Sequence, residues 1–307
     1  MLKLHGQSQF DLNSVKSLIY KSPEGEAKFM ELYESRLARL SRIGIKCESR
    51  MMDTRFGPTH ILITGPEDAP PLVALHGIHA SGPFGLEVLL PLTKNYRVYL
   101  PDVIGQPGRS AKTLISPLGN NYAKWLVEVL DGLGLERAVF IGISFGGGIL
   151  LDLAAYAPER ISRAALIVPA GIASASSPHL LLQLFIPWSL YRLIPGRDRL
   201  IHVLHPLMSE FEEPVLEFFD TIIRHVKWIQ IPPGPFAIEN LKSFSAPTLL
   251  FLAREDIFVP FDQAYIWSKE IIPNLTAIEI LDGPHIPSRK MLAYINERIQ
   301  GFLAESR

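Results

Sequence analysis

The sequence predicts an α/β fold: a doubly wound, mostly parallel sheet with an inserted helical cap. Three observations carry that reading. Short runs that are apolar at nearly every position recur along the chain, as in Leu72 to Leu75, Ala138 to Ile143 and Thr248 to Ala253. This is the pattern of parallel strands covered on both faces. Longer segments with helical spacing, Tyr122 to Leu133 and Ile149 to Ala157, alternate with them, and Pro158 closes the second. Between Gly171 and Ser243 the alternation stops, and proline-containing helical pieces follow one another instead.

Composition suits one large core with an insertion. Of 307 residues, 48% are hydrophobic and 20% charged, enough apolar material for a two-sided core and too much for extensive disorder. A net charge of −1 leaves no field to hold a polyanion, so nucleic acid is not expected as a partner. The single cysteine, Cys47, cannot make an intrachain disulfide or a thiolate metal cluster, which fits a reducing compartment and a cytoplasmic protein. Met1 to Tyr20 mixes Lys3, His5 and Asp11 among its apolar residues, so no secretory leader is expected. The most apolar later stretch, Leu180 to Leu190, is broken by Gln183 and Pro187 and falls far short of the ~20 residues of a membrane span.

Taken in order, residues 1–45 read as a helical arm. Ser22-Pro23-Glu24 supplies an N-cap with proline at the first helical position, and Phe29, Tyr33, Leu37 and Leu40 recur on one face. The core is expected over 46–170 and 244–307. Its strands are His60 to Thr64, Leu72 to Leu75, Arg97 to Leu100, Ala138 to Ile143, Ala164 to Val168, Thr248 to Ala253 and Ala277 to Leu281, with a closing helix from Met291 to Leu303. The cap, 171–243, holds helical pieces at Leu180 to Leu193, Arg199 to Met208 and Pro214 to Lys227. The first of these is apolar around most of its circumference, with Leu181, Leu182, Leu184, Phe185, Trp188 and Leu190. One partner cannot bury so much, so part of it is expected to line a pocket.

Doubly wound sheets bind ligands at the carboxyl ends of their strands, and the residues that suggest chemistry fall there. Gly142-Ile143-Ser144-Phe145-Gly146 joins a strand to a helix. In that setting a nucleophilic serine sits in a strained turn, and the glycines let neighbouring backbone pass closely. Serine is a poor nucleophile without a histidine base, and the base needs an acid to fix its tautomer, in the chain order Ser, Asp/Glu, His. The strand ending at Ala253 runs into Arg254-Glu255-Asp256, where Asp256 is the favoured acid and Glu255 its rival. The last strand runs into Asp282-Gly283-Pro284-His285, which makes His285 the base. Oxyanion donors are expected from the N–H of Phe145 and, in the loop His76-Gly77-Ile78-His79, from the N–H of Ile78. His202 and His205 have helical spacing but no acidic or cysteine partner at ligand spacing, and no Gly-x-x-x-x-Gly-Lys loop occurs; no metal or cofactor is expected.

From about Cys47 to the C-terminus the chain resembles the α/β-hydrolase superfamily, especially its carboxylesterase-like members with a helical cap. Pro101-Asp102-Val103-Ile104-Gly105-Gln106-Pro107-Gly108-Arg109-Ser110 is similar to the family's Asp-x-x-Gly-x-Gly-x-Ser stretch, and Asn296 matches its C-terminal helix. Two positions depart from the family pattern: Pro284 stands where glycine usually precedes the catalytic histidine, and Lys290 where glutamate is common. The reading implies a serine hydrolase that cleaves a small-molecule carboxylic ester with an apolar acyl or alcohol part. C–C bond or amide hydrolysis on the same triad, and a non-enzymatic receptor of the same fold, stay open beside it, as does the oligomeric state.

Overall fold

The computed structural model describes residues 19–175 and 177–305; the reading of the first eighteen residues as free of a leader lies outside them. Eight strands form one sheet in the order β1-β2-β4-β3-β5-β6-β7-β8. They are β1 (Cys47–Thr54), β2 (Gly57–Thr64), β3 (Pro71–Leu75), β4 (Arg97–Pro101), β5 (Ala138–Ile143), β6 (Ile161–Ile167), β7 (Thr248–Ala253) and β8 (Leu275–Leu281). β1 and β2 run antiparallel to their neighbours, and from β4 through β3 to β8 every pairing is parallel.

Successive residues of the central strands feed opposite faces, as the two-residue period of a strand demands. Val73 and Leu75 join Phe140 and Leu250 in one apolar layer, under the helices α3 (Asn121–Leu133), α4 (Phe145–Tyr156) and α10 (Phe261–Ile271). Leu72 and Ala74 join Ile141 and Leu249 in the other, under α2 (Gly82–Val88) and α11 (Arg289–Ala304). Burial on both sides is why these strands read as unbroken apolar runs.

The sequence reading overlooked β1, α2 and α10. Cys47–Thr54 has no apolar alternation because it is an edge strand, paired among the described residues only with β2 and mostly exposed. α4 begins at Phe145, four residues before the expected start, because Gly146, Gly147 and Gly148 enter the helix despite their low propensity. No helix among the described residues is long and apolar enough to cross a membrane.

The arm becomes α1 (Pro23–Arg42), N-capped by the Ser22 side chain as its sequence predicts. It packs between core and cap. Tyr33 is buried and donates its hydroxyl to Asp102 of the core at 3.0 Å, while Phe29 packs in a cluster with Ile222 of the cap helix α8 (Glu213–His225). Lys21 ties the same junction by donating to the carbonyls of Ile223 and Arg224 at the end of α8. Between β6 and β7 the chain forms α5 (Ser177–Leu180), a π-helical turn (Leu181–Phe185), α6 (Ile186–Leu193), α7 (Arg197–Leu204), α8 and α9 (Ile238–Leu241). Leu184, Tyr191, Leu204 and Leu216 make a separate apolar core within this segment.

Candidate active site

β5 ends at Ile143 and α4 begins at Phe145, leaving Ser144 alone between them with φ 50° and ψ −110°. A non-glycine residue is rarely found there, and holding one costs about 1–3 kcal/mol, offset by surrounding contacts. Here the Ser144 N–H donates to Ile167 and its carbonyl accepts from the Ala170 N–H, at 2.9 and 3.0 Å. The flanking glycines have a steric reason. A Cβ at position 146 would collide with the Leu75 carbonyl, and one at position 142 would lie 2.7 Å from the Gly147 Cα.

The loops after β7 and β8 bring the other two predicted residues to this turn. His285 Nε2 lies 2.8 Å from Ser144 Oγ, and His285 Nδ1 lies 2.7 Å from Asp256 Oδ2. The other Asp256 oxygen accepts the N–H groups of Phe258 and Val259 at 2.8 and 2.9 Å, which fixes the carboxylate in place. A carboxylate only accepts, so the hydrogen resides on Nδ1 and the Nε2 lone pair faces the serine hydroxyl. Phe258 packs edge-on against the imidazole, with ring centroids 5.0 Å apart. Glu255, the rival acid, is exposed; only its backbone contributes, through an N–H donated to Gly283.

Ile78 and Phe145, the expected oxyanion donors, line the same cavity as Ser144 and His285. Phe145 opens a helix, whose N-terminal dipole favours negative charge beside the serine. The Ile78 loop is pinned at three points. The buried His76 ring accepts the Val103 N–H at Nε2 and donates from Nδ1 to the Gly77 carbonyl, at 2.9 and 2.8 Å. His79 adopts φ 59° and donates its backbone N–H to Gln106 Oε1 at 2.9 Å. Finally, Gln230 reaches down from the segment after α8. Its amide donates to the Gly105 carbonyl at 2.8 Å, so its oxygen is left to accept from His79 Nε2 at 3.1 Å. Burial pushes the His79 imidazole down to about 4, keeping it neutral, and the Lys21 charge adds to this against the pull of the Gln230 bond.

The cavity measures about 750 Å³. Leu180, Phe185, Trp188, Phe218, Phe219 and Trp228 supply its apolar wall from the cap. The apolar excess of the first cap segment divides three ways. Phe185 and Trp188 face the cavity, Leu184 and Tyr191 pack in the cap's own core with Phe211, and Leu181, Leu182 and Leu190 are exposed. The arm also reaches the rim, where Arg36 donates to Glu87 at 2.8 Å. Gln106 and Gln230 were not singled out as site residues by sequence reasoning, which offered His79 only as a candidate substrate contact. A positive φ and a hydrogen bond across 151 residues leave no local signature. Among the described residues, no group of three or more His, Cys, Asp or Glu side chains is placed to hold a metal ion; His205 stacks on Phe211 instead.

Comparison with known proteins gives a consistent picture. The family model described as the alpha/beta hydrolase fold matches residues 70–196. The chain is 29% identical to the uncharacterized carboxylesterase nap of Bacillus subtilis (strain 168), over 91% of this chain and 94% of the relative. It is 28% identical to carboxylesterase YbfK of the same organism, over 94% and 97%. The crystal structure of naproxen esterase (carboxylesterase NP) from Bacillus subtilis superposes with a TM-score of 0.74 at 26% identity, covering 92% of this chain and 99% of the other.

Proposed function

We propose, on the premise that the chain is a carboxylesterase-like member of the α/β-hydrolase superfamily, that it cleaves carboxylic esters with Ser144 as nucleophile, His285 as general base and Asp256 as the acid that orients the base. The observation that carries this reading is the continuous line from Ser144 Oγ through His285 to Asp256, at 2.8 and 2.7 Å, opening on an apolar cavity. Ser144 attacks the ester carbonyl while its proton passes to His285 Nε2. The imidazolium then gives that proton to the departing alcohol, and water repeats the sequence to release the acid. The N–H groups of Ile78 and Phe145 receive the oxyanion of each tetrahedral intermediate.

Substrate character follows from the wall. An aromatic and aliphatic roof favours an uncharged ester with an apolar acyl or alcohol part of small to medium size. Each buried methylene contributes up to ~0.8 kcal/mol until the space is filled. A single cysteine at position 47 suits a reducing compartment, and we propose the cytoplasm as the site of action.

A fluorophosphonate probe tests the assignment. The expected result is a rapid adduct mapped to Ser144 that disappears in Ser144→Ala; a folded wild-type protein with no adduct at Ser144 would favour a receptor over an enzyme. Across p-nitrophenyl esters from acetate to palmitate, kcat/KM is expected to rise with early chain length and then fall. A steady preference for acetate contradicts the assigned role of the cap wall. Faster turnover of amides or β-diketones than of esters would move the reaction class while leaving the triad.

A further inference from the structure

Outside the cavity a second serine, histidine and aspartate stand in line. Ser49 lies on the exposed edge strand β1, where it pairs with Leu62 of β2, and His60 of β2 pairs with Met51. Ser49 and His60 are therefore diagonal neighbours on one face of the ribbon. Ser49 Oγ is 3.0 Å from His60 Nε2, and His60 Nδ1 is 3.1 Å from Asp102 Oδ2.

Asp102 is fully buried and accepts from the Tyr33 hydroxyl at 3.0 Å, the Gly82 N–H at 2.6 Å and the Arg109 N–H at 2.9 Å. Burial alone would raise its pKa, but the His60 hydrogen bond and the two backbone donors outweigh that and hold it below the usual carboxylate range. The carboxylate accepts, so His60 carries its hydrogen on Nδ1 and turns the Nε2 lone pair to Ser49. On its other side Ser49 Oγ accepts from the Arg109 guanidinium at 3.2 Å. Anchoring α1 explains Tyr33 and Asp102. It does not require an exposed hydroxyl set between an imidazole and a guanidinium.

We propose that Ser49 is an acyl-acceptor site, separate from the cavity, that reacts with activated aryl esters. The Ser49 Oγ–acyl bond forms and the acyl–aryloxide bond breaks; the serine proton passes to His60 Nε2 and from there to the departing aryloxide. Arg109 supplies positive charge beside the carbonyl oxygen as it becomes negative. Ser49 lacks the strained turn and helix N-terminus that Ser144 has, since it sits within a paired strand. The product is accordingly a persistent acyl-serine, formed once per chain. This site is independent of the assignment made for Ser144.

The test treats the Ser144→Ala protein with p-nitrophenyl acetate and maps acetylated serines by peptide mass spectrometry. Ser189 is the internal comparison: it is exposed, and its hydroxyl donates to the Phe185 carbonyl instead of a histidine. Ser49 is expected to be acetylated about a hundredfold faster than Ser189, the lower end of what a positioned general base contributes. Equal rates at the two serines overturn the proposal. In His60→Gln with an unchanged circular dichroism spectrum, the Ser49 rate should drop to that of Ser189, and an undiminished rate there overturns it as well. Should that variant fail to fold, the ratio of Ser49 to Ser189 in the Ser144→Ala protein decides alone.

Discussion

At the cavity floor Ser144, His285 and Asp256 are joined at 2.8 and 2.7 Å; on the outer edge of the sheet Ser49, His60 and Asp102 are joined at 3.0 and 3.1 Å. In both, a carboxylate fixed by backbone N–H groups sets the tautomer of a histidine whose other nitrogen meets a serine hydroxyl. What surrounds the serine differs. Ser144 occupies a strained turn between strand and helix, beside two candidate backbone donors and under an apolar roof. Ser49 occupies the middle of a regular strand, beside one guanidinium and solvent. A hydrogen-bonded line can activate a hydroxyl, whereas turnover also requires preorganised donors for the oxyanion and a site that excludes water.

The sharpest break in this comparison comes from the cavity. Ser144→Ala and His285→Ala are each expected to lower kcat/KM for an apolar ester by ~10⁴-fold or more, with circular dichroism unchanged, because the members of such a unit fail together. Near-wild-type activity in either variant would sink the assignment. Asp256→Asn should come next, with a loss of ~10³-fold or more from a misoriented imidazole, while Glu255→Gln stays within about threefold of wild type. If Glu255→Gln proves the worse of the two, the acid lies one residue earlier.

His79, buried in the loop after β3, sets the third expected effect. Folded His79 resists protonation down to about 4, whereas in the unfolded chain it titrates near 6.5. The unfolded state therefore takes up the proton first, and stability is lost as pH falls from about 6.5 through about 4, by up to about 3 kcal/mol. Urea midpoints of wild type and His79→Gln at pH 7 and pH 4.5 measure this. The variant should lose less on acidification, and an equal loss would assign the acid sensitivity elsewhere.

Trp228 touches His79, Phe185, Trp188 and Phe258 through ring contacts at 4.9 to 6.3 Å. Trp228→Ala should lower kcat/KM about tenfold for a hexanoate ester and less for acetate, reflecting lost apolar contact. An equal loss on both esters would show that Trp228 supports the loop without selecting substrate. The smallest effect is expected at the other line: Ser49→Ala should leave ester turnover within about twofold of wild type, since the residue is exposed and outside the cavity wall. A larger drop would mean that the two lines are coupled through Asp102.

The legibility of this protein followed the range of the forces involved. The central strands were readable because burial on both faces demands apolar residues at every position, which leaves a continuous trace in the chain. The turn at Ser144 was readable because close backbone approach at positions 142 and 146 excludes a side chain, and glycine at fixed spacing records that exclusion. Strand β1 was not readable, because an exposed edge strand has no buried face to impose a pattern.

By itself, then, the sequence determined the layered α/β architecture, the capped start of α1, the strained serine turn, and the placement of Asp256 and His285 after two late strands. Each is dictated by local sterics or by a periodicity that a few neighbouring residues can carry. Tertiary structure decided the rest. It buried Asp256 and left Glu255 in solvent, divided the apolar cap segment among cavity, cap core and surface, and brought Gln230 to His79 and Ser49 to His60. Those outcomes depend on which distant segment packs alongside, and burial and hydrogen bonding between segments far apart in the chain have no local signature in either one.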